Sequence, residues 1–300
     1  MISLICSILC STLLVLIFSQ FAKNKIHTLQ AIVVNYFVCV LCAWLTLGKF
    51  PLQATDFAQS WFPFAIFLGL NFIVGFNMVA GTVQHFGVPV ASVMQKMSLV
   101  MVIGFTFFFY HEQLDFYKIL GLITAFGAIW FSSRPEKLSQ TAENKIVTQN
   151  DKSDKLVLIF PVLTLLLSGV IDVTFYYVQR TVSPQSGANL GFISFLFGTA
   201  GLFGFIFVLI GFALKKYTFE WKNVIAGTIL GIPNFGSTFF FLKAMNEGWE
   251  GSVFFPLNNV GIIIVSTFAA LFFLKEKITT SKIISIVLSL FAIFFITMNK

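Results

Sequence analysis

Charge is what this chain has least of: Asp, Glu, Lys and Arg together make up 10% of its 300 residues. With 57% of positions hydrophobic and 40 of them Phe, too few polar side chains remain to cover a soluble globule. Most of its surface must therefore face lipid. Sites for common enzymatic chemistry are missing too. The three histidines, His27, His85 and His111, fall in separate connections, and there is no HExxH pair, no glycine-rich phosphate loop and no nucleophile beside a base. Neither enzyme activity nor a cofactor is expected. The four cysteines, Cys6, Cys10, Cys39 and Cys42, lie in apolar stretches, so CVLC reads as small packing residues rather than a zinc or redox motif. The net charge of +7 is spread among connections. It suits anionic headgroups and argues against nucleic acid.

What is present is a series of long apolar runs. A helix needs about 20 mostly apolar residues to cross the hydrocarbon. Ten runs qualify: 3–21, 29–47, 61–83, 89–109, 114–131, 156–178, 188–214, 224–242, 252–274 and 280–297. They are continuous rather than alternating and twice the length of a barrel strand, so the expected fold is an all-α integral membrane protein. The first run has no Lys or Arg before it and no small-residue cleavage site after it, and reads as a retained helix. Pro51, Pro63, Pro89 and Pro161 sit at span starts or in connections. Pro233 and Pro256 fall inside spans, where broken backbone is expected.

The polar stretch 132–155 separates five spans from five. It divides the chain into 1–131, a linker 132–155, and 156–300. A gap-free offset of 164 aligns YHEQLDFYKILGLITAFGAIWF with LKEKITTSKIISIVLSLFAIFF, placing Glu112 on Glu276, Lys118 on Lys282, Ala128 on Ala292 and Gly87 on Gly251. Each copy has an odd number of spans, so the second enters the membrane from the opposite side. Two inverted five-helix repeats around a central cavity are a signature of secondary transporters.

The ten-span plan, the two halves, and a Glu after the fourth and ninth spans (FFFYHEQL and LFFLKEKI) resemble the drug/metabolite transporter superfamily, in particular its EamA-like ten-helix branch. Leu99 and Ile263 stand where that family often carries a proline, and the Trp-Gly pair of its first helix is absent. The resemblance implies that helices three, four, eight and nine line a cavity opening alternately to each side.

Polar residues in those spans are the candidate wall. Ser92, Gln95 and Lys96 share one helical face. Lys96 lies seven residues after Pro89, about 10 Å below the end of its span. An ammonium near the helix centre costs roughly 2.5 to 3.5 kcal/mol on insertion scales. It either snorkels to the interface, pairs with a carboxylate such as Asp172, or binds an anionic group of a substrate. The offset carries Ser92, Gln95 and Lys96 onto Pro256, Asn259 and Val260, so Asn258 and Asn259 with Ser252 form the second polar group. Asp172, Tyr176 and Arg180 follow at i+4 steps as a coupling or ion-pair candidate. Asn71, Asn77 and Asn234 complete the substrate-binding candidates, each with a plain alternative as interhelical glue. Gly227 and Gly231 form GxxxG, and Gly198, Gly201 and Gly204 recur every third residue. Both patterns mark close helix contact.

Thirteen Lys and Arg fall in the odd-numbered connections and five on the side of the termini. The positive-inside rule places both termini outside, whereas the family resemblance implies both inside. The expected function is secondary transport of a small polar metabolite, with carboxylate-bearing solutes such as amino acids leading and export favoured. The alternatives are a proton-coupled exporter of drug-like cations through Asp172 and a non-transporting membrane scaffold. The expected partners are the small-molecule substrate and the bilayer, with a homo-oligomer left open. The expected location is the cytoplasmic (inner) membrane of a bacterium.

Overall fold

A computed structural model describes residues 1–48, 54–133, 157–183, 189–273 and 279–298. Among these residues the chain is helical, without strands. The helices are α1 (Ile2–Lys23), α2 (Thr28–Leu47), α3 (Phe62–Met97), α4 (Leu99–Tyr110), α5 (Phe116–Ser132), α6 (Ile159–Tyr177), α7 (Leu190–Ala213), α8 (Trp221–Met245), α9 (Gly251–Phe273) and α10 (Thr280–Thr297). Among the described residues, nine stretches are long and apolar enough to cross a membrane, and α5, at 17 residues, is an apolar helix just short of that length. Residues pointing away from the fold are themselves apolar. Phe108 and Phe272, one offset of 164 apart, are 74% and 79% exposed. The chain is a multi-pass membrane protein.

The expected linker lies outside the described residues from 134 onward, as do Pro51 and Glu276. The register of the repeat reappears in the helix starts. Asp115 caps α5 by accepting from Lys118 N, and Thr279, one offset later, caps α10 by accepting from Lys282 N. Matching caps at one offset are consistent with a repeated five-helix plan.

Three expectations about the backbone need correction. The third and fourth apolar spans stay separate, at Phe62–Val83 and Val90–Tyr110, but no break in the backbone divides them: α3 continues through 84–89 and ends at Met97. Gln84 and His85 lower the hydropathy there without ending a helix, since hydropathy reports on solvent and not on the backbone. Pro233 and Pro256 do not end their helices either. A proline removes one intrahelical bond, and the packed helices of membrane proteins tolerate that loss. The irregular backbone lies elsewhere: at Ser98, between α3 and α4, and in a π-turn at Val178–Val182 after α6.

The chain forms two compact units. The first comprises Met1–Ile73 and Thr174–Trp249, the second Val74–Val173 and Glu250–Lys300. Each draws helices from both halves of the sequence, and α3 and α6 contribute to both.

In the first unit α8 packs on α1 and α2, and α7 packs on α2. The GxxxG pattern sets the approach: a Cβ on Gly227 would lie 2.4 Å from the Ala31 carbonyl oxygen, and one on Gly231 would lie 2.6 Å from Val38 Cβ. Gly204 faces Val33 in the same way, at 2.7 Å. Tyr36, Phe72, Phe175 and Phe197 fill the centre with ring centroids 5.7 to 6.3 Å apart.

In the second unit α10 packs on α5 and α9, and α9 on α4 and α5. Ala125, Val260 and Ala292 form its fully buried centre. Ser285 Oγ donates to the Ala128 carbonyl across the α5–α10 contact at 2.7 Å.

Candidate functional site

Ser98, between α3 and α4, links two polar groups of the second unit. Its side chain is buried, and its hydroxyl lies 2.6 Å from the Gln95 carbonyl and 3.0 Å from Asp172 Oδ2 on α6. A serine bonding back onto the preceding turn competes with the helix ladder. The ladder responds by tightening: the Ser98 carbonyl accepts from Met101 N at 2.9 Å, and only at 3.4 Å from Val102 N. Ser98 immediately precedes Leu99 and keeps helical angles (φ −52°, ψ −24°), so the fourth span is irregular but tightened here rather than severed, without a proline.

Lys96 stands two residues before Ser98 and is half-buried. Among the described residues it makes no hydrogen bond and no ion pair, with Asp172 or any other acid. Asp172 is half-buried as well and keeps the Ser98 hydroxyl as its partner. The arrangement is an ammonium and a carboxylate near one irregular helix turn, each retaining free bonding capacity. A free ammonium can take an anion, and a carboxylate with acceptor capacity left can take a cation.

The other candidates separate by environment. Ser92 is half-buried and Gln95 exposed, so the stripe expected around Lys96 does not point wholly inward. On α9, Asn258 is buried and engaged, whereas Asn259 is half-buried with no hydrogen bond among the described residues. The Ser252 hydroxyl is buried without a hydrogen-bond partner among the described residues, although its backbone N–H is bonded. Asn77 is exposed and engaged.

In the first unit, Asn71 is buried with its Oδ1 unpartnered among the described residues. Asn234 Nδ2 donates to Asn35 Oδ1 on α2 at 3.0 Å, beside the Cys39 thiol, which is 3.5 Å from the Gly231 carbonyl. Asn234 therefore joins α8 to α2. Tyr176 is fully buried, and exposed Arg180 places its guanidinium 5.9 Å over the Tyr176 ring. The π-turn that holds Arg180 shifts it off the regular i+4 series.

Sequence reading did not single out Ser98, whose signal was its place two residues after Lys96. Nor did it give Glu112 a partner. This carboxylate is buried and accepts from the first two backbone amides of α9, Gly251 N at 2.8 Å and Ser252 N at 2.9 Å. His111 makes this possible by adopting a left-handed conformation, φ 51°, that turns the chain after α4. Lys118 then pairs with Glu250 and donates to the Gln113 carbonyl at 3.0 Å.

Comparison with known proteins agrees with this architecture. An uncharacterized protein of Haemophilus influenzae is 27% identical over 97% of this chain and 96% of its own. A crystal structure covering 99% of this chain and 96% of its own superposes with a TM-score of 0.72 at 13% identity, a likeness of fold. The model of the EamA-like transporter family matches residues 1–134. The likeness to the EamA-like transporters is thus carried by the first 134 residues.

Proposed function

We propose that this protein is a secondary transporter that carries a small polar metabolite bearing a carboxylate, amino acids being the leading class. One observation carries the reading: Lys96 is held inside a membrane-spanning segment, beside an irregular helix turn, with no protein partner among the described residues. An unpaired ammonium at that depth is costly unless a ligand or water completes it, and irregular helix backbone is a recurrent element of transporter sites. Ser98 and Asp172 supply an acceptor for a substrate ammonium. The five-plus-five plan supports alternating access through inverted repeats, with export favoured. The bacterial relative supports a cytoplasmic (inner) membrane location.

Flux of a panel of labelled amino acids, organic anions and organic cations into proteoliposomes tests the reading. Carboxylate-bearing solutes are expected to move with wild-type protein and to lose at least about tenfold in rate with Lys96→Gln, the loss of roughly 1.4 kcal/mol of binding. Undiminished flux of those solutes through Lys96→Gln would contradict it. A second reading rests on Asp172, whose carboxylate keeps free acceptor capacity: a proton-coupled exporter of organic cations. Flux that survives Lys96→Gln and disappears in Asp172→Asn is the outcome that favours it.

A further inference from the structure

The first unit carries a groove that the proposed site around Lys96 does not include. Helices α1 and α8 run antiparallel and meet closely at one end, where Ser7 Oγ donates to the Ser237 carbonyl at 3.3 Å and Cys10 faces Gly236. Toward the other end they part and leave a groove of about 450 Å³. Its walls are Ile17, Phe21, Ile225 and Ile229, and Gln20, Asn24 and Lys222 stand among them as its polar groups.

Two well-tied connections flank that end. His27 N donates to Asn223 Oδ1 at 2.9 Å, Asn223 Nδ2 to Gln30 Oε1 at 2.8 Å, and the rings of His27 and Tyr217 lie 4.5 Å apart. Held together in this way, the connections present Lys23, Lys25, Lys215, Lys216 and Lys222, all exposed, against the single acid Glu220. Phe219 and Trp221 are exposed beside them with their rings in contact, 5.3 Å apart. Exposed Trp next to lysine is the usual composition of the headgroup level of a bilayer.

We propose that this groove binds one anionic phospholipid, with an acyl chain along the apolar wall and the phosphate held by Lys222 and its neighbours. The volume falls in the range of about 300 to 1,000 Å³ typical of ligand sites. The shape is apolar along its length and basic at one end, which matches a lipid rather than a soluble anion. Lys222 also contacts Glu220 at 2.6 Å, with the two side chains 42% and 45% exposed. An ion pair that open to solvent is weak and yields to a phosphate.

Native mass spectrometry of the purified full chain, offered equal amounts of phosphatidylglycerol and phosphatidylethanolamine with identical acyl chains, tests the proposal. Wild-type protein is expected to prefer phosphatidylglycerol by about thirtyfold, as two lysines at a membrane surface contribute about 1 kcal/mol each toward an anionic lipid. The double variant Lys23→Gln/Lys222→Gln should lose that preference, and Ala226→Phe, which fills the groove without changing charge, should lose the lipid itself. Glycerophosphoglycerol, the headgroup without acyl chains, should not compete. Equal retention of the two lipids by wild-type protein overturns the proposal, as does competition by the soluble headgroup. If Ala226→Phe does not fold, the lysine variant, altered only at exposed side chains, still decides the outcome.

Discussion

Glu112 offers the sharpest test of the fold, because its carboxylate holds together parts of the chain 139 residues apart. Glu112→Ala leaves the amides of Gly251 and Ser252 buried without their acceptor. An unsatisfied buried donor costs about 1 to 3 kcal/mol, so the pair predicts a loss of about 2 to 6 kcal/mol. Part of this is the interaction of a negative charge with the N-terminus of α9, worth up to about 2 kcal/mol when partly buried. Glu112→Gln keeps one oxygen and should lose about 1 to 2 kcal/mol, mostly the ionic share. Asp at this position is one methylene shorter and should fall between the two. Thermal unfolding of the detergent-solubilised variants, followed by intrinsic Trp fluorescence at one scan rate, reads the order wild type, Gln, Asp, Ala. If Glu112→Ala unfolds within about 0.5 kcal/mol of wild type, the size expected of an unremarkable surface change, the cap does not hold α9 and the reasoning fails.

Other substitutions probe separate parts of the account. Gly227→Ala drives a Cβ against the Ala31 carbonyl and should cost about 1 to 3 kcal/mol in the same assay. Gly104→Ala meets nothing within 4 Å and should be neutral or stabilising by up to about 1 kcal/mol. Asn234→Ala removes the bond to Asn35 and should cost about 1 kcal/mol, without changing the response to any transported solute, since its role is to join α8 to α2. Ser98→Ala removes the hydroxyl shared by Gln95 and Asp172. It should alter flux more than stability, because the helix regains its ladder as the site loses a donor.

Much of this architecture was legible because lipid imposes a simple rule. Apolar runs of spanning length had to be helices, and the described helices overlap all ten expected spans. The small-residue patterns at Gly227, Gly231 and Gly204 also gave true contacts, since a missing Cβ is useful wherever two helices touch. Prolines misled for a complementary reason: Pro233 and Pro256 remove single bonds that neighbouring helices make tolerable, so composition alone cannot locate a break. The irregular turn at Ser98 depends on a hydroxyl shared between Gln95 and Asp172, a partner 74 residues away. No local pattern encodes that distance. Glu112 was visible as a motif, yet its partners are backbone amides, which have no sequence signature. Lys96 and Asp172 stood out because charge in an apolar run is conspicuous, whereas Asn35, the partner of Asn234, carried no such mark.

Whether Lys96 belongs to a substrate site is tested most directly by thermal stability of the purified chain against anionic, zwitterionic, neutral and cationic metabolites, with Lys96→Gln in parallel. A solute present at a hundred times its dissociation constant adds about 2.7 kcal/mol to the folded state. The account predicts that a carboxylate-bearing compound stabilises the wild type by an amount of that order and has no effect on Lys96→Gln. Equal stabilisation of both proteins by such a compound, or stabilisation by cations alone, would contradict it.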